Sequence, residues 1–150
     1  MRLFWLAVLS LLAACGDPPN KLYGSMSQVY KLDFDRVQIL RVGNEVSVEY
    51  QRTSNGGVAA KVAKLTVQVG DLANLAGNDI NLTEVVAGLP RGSIQRVETS
   101  TTVFPLKVGT AHFDQEPTAG TTLSGWFHTT LSDPDGRTLN GDFQAKVEAR

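Results

Sequence analysis

The chain has 150 residues, 14 basic and 15 acidic, for a net charge of −1, and it contains one cysteine. That length suits one domain with a single core, and the 42% hydrophobic and 19% charged fractions exclude a disordered or collagen-like chain. The near-neutral charge argues against a nucleic-acid footprint, and a lone cysteine excludes both an internal disulfide and a cysteine-rich zinc site.

The chain opens with Met1-Arg2 and then runs apolar from Leu3 to Ala14, interrupted only by Ser10. Twelve helical residues span about 18 Å, short of the roughly 30 Å hydrocarbon core of a bilayer. A positive start, a short apolar run and small residues before a cut site describe a secretory signal peptide. The run ends Leu12-Ala13-Ala14-Cys15. This motif resembles the lipobox of the bacterial lipoproteins: a Leu, two small residues and a Cys closing the apolar segment. The resemblance implies that residues 1–14 are removed and that Cys15 carries acyl chains that anchor the mature protein. Gly16 directly after the Cys, with Asp17 one later, resembles the outer-membrane-sorted pattern. On this reading the protein is a lipid-anchored component of the bacterial cell envelope, at the outer membrane. Removing residues 1–14 takes away Arg2 alone, so 14 − 1 = 13 basic residues face 15 acidic ones. Membrane contact is then expected through the acyl chains rather than through a basic surface.

Residues 15–24 read as the lipidated Cys and a short linker, because Pro18-Pro19 blocks helix and ladder pairing. Nine residue steps from Cys15 to Gly24 reach at most about 30 Å, which keeps the body near the bilayer. Residues 25–150 read as a single β domain.

From residue 25 the dominant period is two, the strand period. Tyr30, Leu32 and Phe34 alternate with Lys31 and Asp33 as an initial strand. Residues 36–42 and 45–52 follow, joined by Gly43-Asn44 in a type II′ hairpin that pairs Val42 with Glu45. A turn at Asn55-Gly56 then opposes Val48 to Ala63 and Val46 to Leu65. Residues 70–92 are punctuated by glycines and Pro90. Asp71–Gly77 reads as a helical turn, and Ile80, Leu82 and Val85 as the residues that pack this crossing onto the core.

Ser93–Phe104 and Leu106–Asp114 are strand-like, with Pro105 between them. Thr122–Ser132 and Thr138–Glu148 are the clearest strands, joined by Asp133-Pro134-Asp135-Gly136-Arg137. Pairing Leu131 with Leu139 puts Phe127 opposite Phe143 on an apolar face, and Trp126, His128 and Thr130 on a polar face with Gln144, Asp142 and Asn140. The expected fold is all-β: about eight antiparallel strands in a two-sheet sandwich with one short helical turn, a closed or partly open barrel being the alternative.

Chemistry-bearing motifs are sparse. His112, His128 and Asp114 have the residue types of a two-His, one-carboxylate metal site. The expected register puts His112 near Gly125 and His128 on the opposite face, so no metal site is expected. Asp133 and Asp135 lack the remaining ligands of a calcium loop and read as a turn. No nucleophile elbow, zinc-protease helix or phosphate loop is present, and no cofactor or catalytic residue is assigned. Trp126 stands out, because an aromatic on a polar strand face suits a contact anchor. The expected contact patch is Trp126, His128, Asp142 and Gln144, facing an envelope protein or polysaccharide. A carrier of a small apolar ligand and a membrane-proximal hydrolase are the alternative functions.

Overall fold

The structure, a computed structural model, describes residues 19–53, 56–57, 59–70 and 75–150. Its strands are β1 (Lys21–Tyr23), β2 (Arg36–Val42), β3 (Glu45–Thr53), β4 (Ala59–Gln68), β5 (Asp79–Asn81) and β6 (Val85–Val86). The chain continues with β7 (Leu89–Pro90), β8 (Gly92–Val97), β9 (Thr101–Phe104), β10 (Leu106–Phe113), β11 (Thr122–Leu131) and β12 (Thr138–Ala149). A single 3₁₀ turn, Ser25–Gln28, is the only helical element among the described residues.

The fold is all-β, as expected, but with twelve strands among the described residues rather than about eight. Ten of them form one sheet in the order β5-β10-β11-β12-β2-β3-β4-β8-β9, with β1 added on β12; β6 and β7 pair only with each other. One strongly curled half-barrel therefore stands in place of two stacked sheets. The reason lies in β12. Residues 138–146 pair antiparallel with β11, and Val147–Ala149 pair parallel with β2. A strand shared by both halves leaves no break at which a second sheet could begin. The curl brings the sheet's far parts together, since β9 and β10 are joined by Pro105 alone.

Leu82 stitches the seam. Its N–H donates to the Gly109 carbonyl and its carbonyl accepts from the Gly92 N–H, both at 2.9 Å. The side chain is fully buried between two glycines: a Cβ on Gly92 would lie 2.5 Å from Leu82 Cδ2, and one on Gly109 would lie 3.1 Å from Leu82 Cβ.

The β2–β3 hairpin has the expected register, with Val42 opposite Glu45 and Ile39 opposite Val48. Gly43 takes φ 55°, the left-handed first position that a type II′ turn requires. The β3–β4 register differs by two residues, Val48 facing Leu65 and Val46 facing Val67. The shift has two steps: Thr53 pairs with Ala59 and Gln51 with Lys61, one residue off the expected ladder, and a bulge that leaves Val62 as an extra residue before the Tyr50–Ala63 pair adds the second. A shift of two preserves the faces, so the apolar set still points inward. The expected single strand over Ser93–Phe104 is a hairpin, β8 and β9, with Ile94 opposite Phe104. Ile80 and Leu82 are buried as expected, whereas Val85 is exposed on the β6–β7 hairpin. Most of the expected helical turn, residues 71–74, lies outside the described residues; Ala76, in its last part, makes a β-bridge to Phe113.

Tyr30–Phe34 alternates as read, but it has no ladder partner. The segment crosses one end of the half-barrel instead. Met26 is buried there, Tyr30, Leu32 and Phe34 pack onto the core, and the Arg96 guanidinium lies 4.9 Å from the Tyr30 ring centroid. The interior is filled by aromatics that touch one another. Tyr50 meets Phe34 at 5.0 Å and Phe127 at 6.1 Å, and Phe113 meets Phe143 at 5.9 Å between centroids. Burial holds the Tyr50 phenol strongly protonated, and its hydroxyl donates to the Asp142 carbonyl at 2.8 Å.

Candidate functional site

The C-terminal hairpin has inward and outward faces as expected, in a register shifted by two. Phe127 lies opposite Gly141 and Phe143 opposite Gly125, so the two rings do not oppose each other. Each ring instead covers a glycine of the partner strand. A Cβ on Gly141 would come within 2.5 Å of the Phe127 ring, and one on Gly125 within 2.7 Å of the Phe143 ring. A large side chain at either glycine would displace a ring, so the glycines select this register.

The outer face follows from it. Asp79, His112, Trp126, Asp142 and Lys21 occupy one cross-strand row over β5, β10, β11, β12 and β1. The next row is Asn81, Thr110, His128, Asn140 and Tyr23. At 4.7–4.9 Å per strand, the face is about 20 Å wide. His112 thus stands beside Trp126, not beside Gly125, and shares a face with His128. The β10–β11 ladder, one residue off the expected register, pairs Phe113 with Gly125. Ala111 and Phe113 are buried in the core, which turns His112 outward.

Three rings form a ladder on this face. The His112 imidazole is nearly parallel to the Trp126 indole, at 3° and 5.5 Å between centroids. His128 stacks on the same indole at 4.6 Å and 28°. Carboxylates frame the ladder. His112 Nδ1 donates to Asp79 Oδ1 at 2.9 Å, and its Nε2 lies 3.5 Å from Asp114 Oδ1. Ser124 Oγ donates to Asp114 Oδ2 at 2.6 Å. The Tyr23 hydroxyl lies 3.3 Å from His128 Nε2. Desolvation, and then the Asp142 carboxylate, hold the Tyr23 phenol above its ordinary pKa.

The four residues read from the sequence as a contact patch share this region. Trp126 is half-buried, His128 and Gln144 are exposed, and Asp142 lies opposite Trp126. His128 faces Asn140 and Tyr23 rather than Asp142. Sequence reasoning weighed His112 and Asp114 only as metal-site residue types and missed their place on this face, along with Asp79 and Tyr23. The inward alternation of Ala111 and Phe113 was the signal for His112. Asp79 and Tyr23 arrive on three-residue strands, too short to carry a period. Cys15 lies outside the described residues.

Among the described residues, no group of three His, Cys, Asp or Glu is arranged to hold a metal ion. The imidazoles of His112 and His128 are separated by Trp126, and their nitrogens meet carboxylates and a phenol. Ser124 is bonded to Asp114 rather than to an imidazole, which is not the order that nucleophile activation needs. Asp133 and Asp135 both pair with Arg137 in their turn. A cleft of about 550 Å³ is lined by Leu22, Tyr23, Ser27, Tyr30, Leu32 and Phe34 where the N-terminal segment crosses the barrel end. Among the described residues, no helix is long and apolar enough to cross a membrane. No family model, curated protein or solved structure matches this chain.

Proposed function

We propose that this protein is a lipid-anchored envelope protein whose half-barrel holds another envelope component against the outer face of β10, β11 and β12. The observation that carries the reading is the His112–Trp126–His128 ring ladder with carboxylates at its margin. Aromatic anchors within a polar rim are the makeup of protein contact surfaces, and Trp is enriched among the residues that dominate their binding energy. The face spans five strands, which favours a protein partner over a small molecule. A polysaccharide is the second partner class. Mutual packing of the interior rings favours a scaffold over an apolar-ligand carrier, which needs an internal void.

The test is a photo-crosslinking phenylalanine at Gln144 in cells, with the same probe at Val103, exposed on β9 outside that face, as comparison. An adduct of defined mass at Gln144, lost on Trp126→Ala, is expected. Equal labelling at both positions refutes the face, and an adduct that a glycan hydrolase digests assigns the polysaccharide. The anchor has its own test. Cys15→Ser is expected to release the protein from the membrane fraction, and an unmodified Cys15 in the mass spectrum of the native protein would refute acylation.

A further inference from the structure

We propose that the rim carrying the β6–β7 hairpin inserts into a lipid bilayer, giving the protein a second membrane contact besides its N-terminus. The inference rests on the anchor reading of Cys15 for the direction from which the bilayer approaches.

The path of the chain sets that direction. β1 runs antiparallel to β12, with Lys21 opposite Asp142, and Asn20 Oδ1 accepts from the Gln144 N–H at 2.6 Å. The chain therefore enters β1 from the side of the C-terminal end of β12, where Glu148 and Ala149 pair with Leu40 and Arg41. Five residue steps from Cys15 to Asn20 span at most about 18 Å. An acyl group on Cys15 thus holds this rim of the half-barrel toward the bilayer.

The same rim exposes apolar side chains. Val42 pairs with Glu45, Glu45 with Gln68, and the Gln68 N–H donates to the Arg91 carbonyl. This row carries the edge of the sheet directly to the base of the hairpin. Val42 is 50% exposed, Val85 67% and Leu89 65%. From Val85 to Pro90 the hairpin carries no charge, and the Glu84–Arg91 ion pair at its base is closed at 2.8 Å. Ala87 and Gly88 turn the tip in left-handed conformations, at φ 53° and 83°, without adding a bulky side chain. Two-residue strands extend about 7 Å, which matches the roughly 5–10 Å depth of interfacial insertion and falls far short of a span. Burying Val85 and Leu89 in the acyl boundary removes apolar surface from water, while tip carbonyls stay within reach of interfacial water.

Brominated-lipid quenching tests it. The mature protein is reconstituted in phosphatidylethanolamine–phosphatidylglycerol vesicles with bromine on the acyl chains, carrying Val85→Trp, Leu89→Trp or Val108→Trp. Val108 is 58% exposed near the start of β10, which runs in the same direction as β12 and so begins at the end opposite the rim. The Trp126 signal of the parent protein is subtracted, and circular dichroism confirms folding. Quenching several-fold stronger at positions 85 and 89 than at 108 is expected. Equal, weak quenching at all three overturns the proposal. A second arm separates it from the anchor reading: Cys15→Ser protein with an N-terminal hexahistidine tag is held on nickel-chelating vesicles. Strong quenching at 85 and 89 there supports insertion even if mass spectrometry finds the native Cys15 unmodified. Weak quenching in both arms overturns insertion whatever the state of Cys15.

Discussion

Gly141 lies beneath two side chains at once: an added Cβ would approach both the Phe127 ring and the Tyr50 hydroxyl at 2.5 Å. At Gly125 the nearest obstacle is backbone, the His112 carbonyl oxygen at 2.1 Å, which cannot rotate away. Gly125→Ala and Gly141→Ala are each expected to cost about 1–3 kcal/mol through overpacking. Emptying the core is costlier. Phe127→Ala and Phe143→Ala are expected to lose about 3–5 kcal/mol, a large share of a domain's typical stability of about 5–15 kcal/mol. Trp126 is half-buried on the outer face, so Trp126→Ala is expected to cost clearly less and yet weaken partner capture. Urea melts of these five variants decide the matter. A Trp126→Ala loss equal to that of the Phe variants would make the indole part of the core and remove the proposed contact face.

At the level of elements, the Asp133 carboxyl makes two of the bonds that close the β11–β12 turn. Asp133 accepts from the Arg137 backbone N–H at 2.8 Å and from its guanidinium at 2.6 Å, and these bonds hold its pKa below the ordinary value. A carboxyl with a lowered folded pKa contributes its full stabilisation above the unfolded value near 4, and loses it as pH falls through the folded value. The turn should therefore stay closed at about pH 5 and above and open only in stronger acid. A carboxyl-carbon NMR titration checks this: a midpoint for Asp133 at or above that of a free Asp contradicts it. The strands flanking this turn were legible in the sequence because their apolar residues alternate over ten residues or more. Register was less legible, because it depends on features with no periodic signature. The Val62 bulge, together with a one-residue offset at the turn, moved one ladder by two residues, the ring-over-glycine pairs moved another by two, and both left the faces unchanged. A slip of one is different in kind, and in the β10–β11 ladder it carried His112 to the opposite face. Half the contact surface was thus visible as Trp126 and His128. The other half depends on long-range pairing of β10, β5 and β1, which local pattern does not encode.

The whole molecule depends on how the curled sheet meets itself. Leu82 is the residue to remove: Leu82→Ala should cost about 3–5 kcal/mol and leave a gap between Gly92 and Gly109. Faster amide exchange is expected at Leu82 and Gly92, whose N–H groups close the seam, before the β2–β3 ladder loosens. Uniform exchange across both regions would show that the seam has no separate opening. β12 has a consequence of another kind, in the order of folding. It touches β1, β2 and β11, so residues more than a hundred positions apart must meet before the half-barrel exists. Local hairpins such as β2–β3 can form early, but distant pairings must first meet the entropy of closing a long loop. A chain emerging N-terminus first from a ribosome or a translocation channel would expose the β2 and β11 edges until β12 arrives. During that interval the nascent chain is a template for strand pairing with its neighbours, and a holding chaperone would have its greatest effect there.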